Sequence, residues 1–132
     1  MRTKEQQRFH YVAVINVLIG ISYLLFRFFL KEVNDFGEAP YPQQAWLQYT
    51  HILLASIWMF FFGVLWKEHI SLKLKLGKKA KRVNGLYLTF ISFFMCLSGY
   101  LIQIPLTQDY SMGVIHCVFG VLWIILYLMH IL

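Results

Sequence analysis

The sequence is short of charge. Asp, Glu, Lys and Arg make up 14% of its 132 residues, against about 25% in a soluble domain. The deficit is concentrated in long runs. From Met112 to Leu132, MGVIHCVFGVLWIILYLMHIL, none of the four occurs across 21 residues, about enough to cross a hydrocarbon core at 1.5 Å per residue. The long apolar runs hold no carboxylate, because the acidic residues all fall outside them. That excludes a Ser-His-Asp hydrolytic set, a carboxylate-rich metal site and an acid-lined ion pathway. No phosphate-cradling glycine loop occurs. The two cysteines, Cys96 and Cys117, lack Cys-x-x-Cys spacing and read as small packing residues. No internal repeat is evident. The basic N-terminus ahead of an apolar run looks like a signal peptide, but the run is too long and no small-residue cleavage site follows, so it reads as a retained helix.

What is present is apolar: 59% of the chain, with 18% aromatic. The length suits one domain, residues 1–132. The runs predict an all-α, membrane-embedded, up-down four-helix bundle with spans at about 9–30, 46–66, 85–106 and 112–132. Lys31 to Ala45 holds Pro40 and Pro42 and reads as a loop. Lys67 to Asn84, KEHISLKLKLGKKAKRVN, reads as a basic connector lying along the membrane surface. Pro105 limits the third span, and Thr107 to Ser111 reads as a turn. Arg2, Lys4, Arg8, Lys67, Lys73, Lys75, Lys78, Lys79, Lys81 and Arg82 fall on one side of such a topology. Lys31 and Arg27, with Glu32, Asp35, Glu38 and Asp109, fall on the other. This asymmetry places both termini in the cytoplasm. It also accounts for the net charge of +6 without nucleic acid as a partner.

Five histidines interrupt the apolar chain. His51 and His116 each lie about five residues into a span from the outer side. His130, His69 and His10 lie toward the inner side. His116 and His130 are 14 positions apart, hence on nearly one helical face and roughly 21 Å apart along the axis. His51 and His69 are 18 apart, five turns of an α-helix, so they share a face as well. Imidazoles inside a membrane span are costly without partners and mark functional sites. Two depths, each offering histidines from two helices, suit two haems with two axial imidazoles each. No Cys-x-x-Cys-His motif occurs, so such haems are held without covalent attachment. The His51–His69 reach, roughly 27 Å, exceeds the roughly 21 Å of His116–His130. Either the second span ends irregularly or His69 is not the inner ligand, and His10 is then its rival.

The chain resembles the small four-helix, di-haem, bis-histidine membrane cytochromes b, membrane subunits of bacterial respiratory oxidoreductases. The resemblance rests on Thr50-His51, Lys67-Glu68-His69, Arg82 to Gly85, Ser98-Gly99-Tyr100, and His116 with His130. It implies two non-covalent b haems in the bacterial inner membrane. It also implies electron transfer to or from a quinone or an attached redox subunit, as part of an oxidoreductase and not as a stand-alone enzyme. The expected haem-iron ligands are His51, His116, His69 and His130. Gly63, Gly99, Gly113 and Gly120 offer clearance for a haem or small-residue packing between helices. Arg27, in LLFRFFL, either pairs with an outer haem propionate or snorkels outward. Two other readings stay open: a haem-free structural subunit packing against a larger membrane complex, and a histidine-based transition-metal binder.

Overall fold

The computed structural model describes residues 3–34, 37–76, 79–104 and 110–131. Arg2, Asp35, Lys78, Pro105, Asp109 and the first three residues of the turn expected at Thr107 to Ser111 lie outside them, as do the side chains of Glu38, Glu68, Lys79, Lys81 and Arg82, while Tyr110 and Ser111 of that turn are already helical. The chain divides into two compact units, Met1–Glu68 and His69–Leu132.

The first unit is a helical hairpin. Helix α1 runs from Lys4 to Phe29, five residues earlier than the apolar run suggests. The polar start carries its own cap: the Thr3 hydroxyl accepts from the Gln6 amide, and the Gln6 side chain accepts from the Thr3 amide. At Leu30 the backbone turns extended. The stretch expected as a plain loop forms an antiparallel ribbon, β1 (Lys31–Asn34) and β2 (Gly37–Pro40). Gly37 sits at φ 108°, where a side chain is strained. The prolines bracket elements instead of breaking them. Pro40 ends β2, and Pro42 opens helix α2 (Pro42–Leu65), where its missing N–H has no helical partner to lose.

Beyond α2 the backbone does not become a surface loop. It continues as a π turn, Trp66–Ile70, and a short helix α3, Ser71–Leu76. Leucine and lysine both favour helix, and among the described residues no partner strand lies beside them for an alternating pattern to pair with. The unit boundary falls inside the π turn. In the second unit, α4 (Lys79–Leu101) and α5 (Tyr110–Ile131) form another hairpin. The end of α4 tightens into i→i+3 bonds, Gln103 to Tyr100 and Ile104 to Leu101, so it stops short of the expected residue 106.

Four of these helices are long and apolar enough to cross a membrane. Each hairpin has a narrow core: Phe9, Ala13, Trp58 and Leu65 in the first, Ser92, Ser98, Trp123 and Tyr127 in the second. Large apolar side chains cover the outside, among them Leu18, Phe28, Leu53 and Phe60, and Phe90, Phe93, Val121 and Leu128. In water that surface would be unstable; in lipid it is the low-energy state. The chain is an all-α integral membrane protein, as the sequence predicts.

Candidate functional site

In each hairpin a histidine near the tip is seated on a glycine of the neighbouring helix. A Cβ placed on Gly20 of α1 would lie 2.9 Å from His51 Cε1 and 3.3 Å from its Nδ1. A Cβ placed on Gly99 of α4 would lie 2.9 Å from His116 Cε1 and 3.3 Å from its Nδ1. Neither position accepts a side chain without displacing the ring. Each glycine also bares the carbonyl one turn before it. His51 Nδ1 lies 3.2 Å from the Asn16 carbonyl and His116 Nδ1 lies 3.0 Å from the Met95 carbonyl. A carbonyl only accepts, so Nδ1 carries the proton and Nε2 keeps its lone pair in the neutral ring. Ser98 completes the second seat. Its hydroxyl donates to the Met95 carbonyl at 3.0 Å and accepts from His116 Nδ1 at 3.2 Å.

The likeness extends beyond the histidines. Seven residues after each lies a nearly inaccessible tryptophan, Trp58 at 2% exposure and Trp123 at 3%. Each tryptophan stacks on the aromatic ring one turn on: Trp58 on Phe62 at 5.4 Å and 22°, Trp123 on Tyr127 at 4.6 Å and 16°. On the first helix of each hairpin, seven residues before the glycine, lies a buried small residue, Ala13 or Ser92. Ser92 accepts from Trp123 Nε1 at 2.8 Å and donates to the Leu88 carbonyl at 2.8 Å, so its burial leaves neither partner unmet. Positions 13, 16 and 20 of α1 thus correspond to 92, 95 and 99 of α4, a shift of 79. Positions 51, 58 and 62 of α2 correspond to 116, 123 and 127 of α5, a shift of 65. The chain does contain an internal repeat, which the sequence reading had not registered. The two hairpins share one internal plan and differ by 14 residues in the length joining glycine to histidine.

The second hairpin has a further seat at its open end. A Cβ on Gly85 would lie 3.4 Å from His130 Cε1, a looser contact than the other two. Gly85 and His130 stand 14 residues from Gly99 and His116, as antiparallel register requires. The corresponding positions of the first hairpin are Gln6 and Leu65. Leu65 is buried and Gln6 serves the α1 cap. No histidine occupies that level. His69 lies four residues beyond Leu65, within the π turn. The second span therefore does end irregularly. An i→i+5 turn holds more residues per turn than an α turn, so it rises less per residue and shortens the reach to His69. The five-turn count that put His51 and His69 on one face assumed α geometry there and does not carry through. Burial, then the positive Lys73 one turn on, hold His69 below the usual histidine range and favour its neutral form. His10, half-buried on α1, lies edge-on to Phe9 at 6.5 Å.

Of the glycines expected to give clearance, only Gly99 meets a histidine. A Cβ on Gly63, Gly113 or Gly120 meets nothing within 4 Å. Gly113 and Gly120 lie one turn either side of His116 on α5 and leave that stretch of helix open. Arg27 is exposed in the last turn of α1, donates to the Tyr23 hydroxyl at 3.0 Å, and lines a small hollow with Lys31, Ala39 and Pro40. That is the posture expected of a snorkelling guanidinium. Asn16 Oδ1 is a buried acceptor with no hydrogen-bond partner among the described residues. Gly20, Asn16 and Met95 escaped the sequence reading. A glycine and a histidine on different helices carry no mutual signal until the register is known, although a shared His-x6-Trp spacing was there to find.

No protein-family model matches the chain, and no curated protein or solved structure matches it significantly.

Proposed function

We propose that the chain is a b-type di-haem cytochrome subunit carrying electrons across the bacterial inner membrane. The observation that supports this most is the pair of equivalent seats. His51 and His116 occupy the same place in two hairpins of one plan, each ring fixed by a glycine and each Nδ1 bound to a carbonyl. That is what a haem ligand needs. A carbonyl bound to Nδ1 fixes the tautomer and aims the ring, and the neutral Nε2 is the atom that would bind iron. The donor set fits as well, being imidazole throughout, and the open helix surface beside Gly113 and Gly120 leaves room for a planar group.

By their spacing in the sequence, His51 and His116 would be the ligands of an outer haem, and His130 that of an inner one with His69, or with His10 as the rival fourth ligand. Bound haem supplies reversible one-electron exchange at iron. The residues contribute placement: 14 positions of α5 separate the two levels by roughly 21 Å. Arg27, beside Lys31, is the candidate partner of an outer propionate. Both termini are cytoplasmic by the charge asymmetry. A quinone and redox subunits are the partners such a chain would serve.

The reading is tested by oxidised and dithionite-reduced absorption spectra of the purified protein, with a pyridine haemochrome assay. Two b haems per chain are expected. A haem-free structural subunit is the competing reading, because a glycine seat and a carbonyl bond also satisfy a packing histidine between membrane helices. Absence of a Soret band, in protein made with ample haem, would favour it.

A further inference from the structure

Helix α2 buries Trp58 and Leu65 on the side that packs on α1. On its far side Met59, Phe60, Gly63, Val64 and Lys67 line an open groove of about 490 Å³. Positions 59, 60, 63, 64 and 67 fall on one arc of the helix, opposite the arc of 58 and 65. Gly63 is the floor of the groove, since a Cβ there would meet nothing within 4 Å. The counterpart of Gly63 in α5 is the exposed Leu128, so the groove is no part of the plan the two hairpins share.

Its depth in the bilayer follows from two exposed tryptophans, Trp46 and Trp66. They stand 20 residues apart, about 30 Å along a helix, which is the thickness of a hydrocarbon core. Tryptophans so placed sit at the two interfaces. The groove therefore starts at headgroup level beside Trp66 and runs about 12 Å into the core, from position 67 to position 59. One leaflet is about 15 Å deep. The lining carries one charge, the Lys67 ammonium, and it lies at the headgroup end. A second copy of the chain suits this face poorly. Copies share one orientation in a membrane, so a twofold dimer here would set two Lys67 ammonium groups at the same depth, face to face.

We propose that the groove binds one anionic phospholipid, with an acyl chain lying over Gly63 and the phosphate at Lys67. The apolar walls meet the chain, and the single cation meets the single anion where a headgroup must be. An ammonium has three donors, so a phosphate joins the interactions Lys67 already makes and does not need it to be otherwise unpartnered.

The probe is phosphatidylglycerol, titrated into the purified full chain in detergent and counted per chain by native mass spectrometry. Phosphatidylcholine with the same acyl chains is the neutral control. One phosphatidylglycerol per chain should be retained, about fivefold more tightly than phosphatidylcholine, the worth of one lysine at a membrane surface. Lys67→Gln should erase that preference and leave the affinity for phosphatidylcholine. High salt should weaken the preference in the wild type. Gly63→Leu fills the groove and should lose both lipids. Its side chain enters open space and leucine favours helix over glycine, so its thermal midpoint should not fall. Equal retention of the two lipids by the wild type would overturn the inference, as would an undiminished preference in Lys67→Gln or retention by Gly63→Leu. So would a wild-type dimer that Gly63→Leu converts to monomer, which assigns the groove to a second copy. Should Gly63→Leu fail to fold, the lipid preference of Lys67→Gln decides alone. Haem content enters none of these measurements, so their outcome stands apart from the cytochrome reading.

Discussion

The sharpest consequence of the glycine seats is what a single methyl group should do at Gly99. A Cβ there would stand 2.9 Å from His116 Cε1, whereas carbon pairs settle at about 3.5–4.0 Å. The ring must therefore retreat by roughly 0.6–1.1 Å. It now donates at 3.0 Å to the Met95 carbonyl, and a retreat of that size takes the contact past hydrogen-bond range. The lost bond costs about 0.5–1.5 kcal/mol and the overpacking about 1–3 kcal/mol. Gly99→Ala should thus destabilise the second hairpin by about 1.5–4.5 kcal/mol and weaken haem retention at His116 about 10–100-fold. The assays are thermal unfolding in detergent and haem per chain by pyridine haemochrome. Gly20→Ala should behave alike, because its clash with His51 is as close. Gly85→Ala should cost less, its Cβ lying 3.4 Å from His130, and Gly63→Ala, with nothing within 4 Å, should leave the midpoint unchanged or raise it. Wild-type stability and full haem in Gly99→Ala would refute the seat.

Other outcomes follow from the same geometry. His116→Ala should remove one haem of two and leave the other, since the levels use separate ligands; a variant retaining both, counted by haemochrome assay, would break the pairing. Ser98→Ala keeps the Met95 carbonyl bond to His116 but loses the hydroxyl that braces it, so haem content should hold while stability falls by about 0.5–1.5 kcal/mol in thermal unfolding. Trp123→Phe removes the donor to buried Ser92 and should cost about 1–3 kcal/mol in the same measurement. Cysteine labels placed at either end of the chain should react only with reagents that reach the cytoplasmic face, as the distribution of lysine and arginine requires.

The sequence alone located four membrane-spanning helices and the places of His51, His116 and His130 along them. Charge and apolar length are properties a bilayer reads one residue at a time, so no tertiary knowledge is needed to place His51 and His116 near one end of their spans and His130 near the other. Local chemistry also foretold that the region around Pro40 and Pro42 interrupts the helices, though not that a ribbon fills it. What the sequence withheld is what depends on register between helices. Gly20 meets His51 across 31 positions and Gly99 meets His116 across 17, so no fixed period relates the two repeats and a scan for one fails. Many of the residues between the shared positions are exposed and apolar, where most apolar side chains serve equally, so the likeness rests on a few residues in each helix. Only the folded hairpins bring glycine, carbonyl and imidazole together and fix the tautomer of the ring. Only they show that Leu65 stands where a fourth seated histidine would be, and that the chain winds a π turn around His69 instead. Hydropathy settled where the long helices lie; close packing at a handful of backbone-to-ring contacts decided which histidines are seated on a glycine.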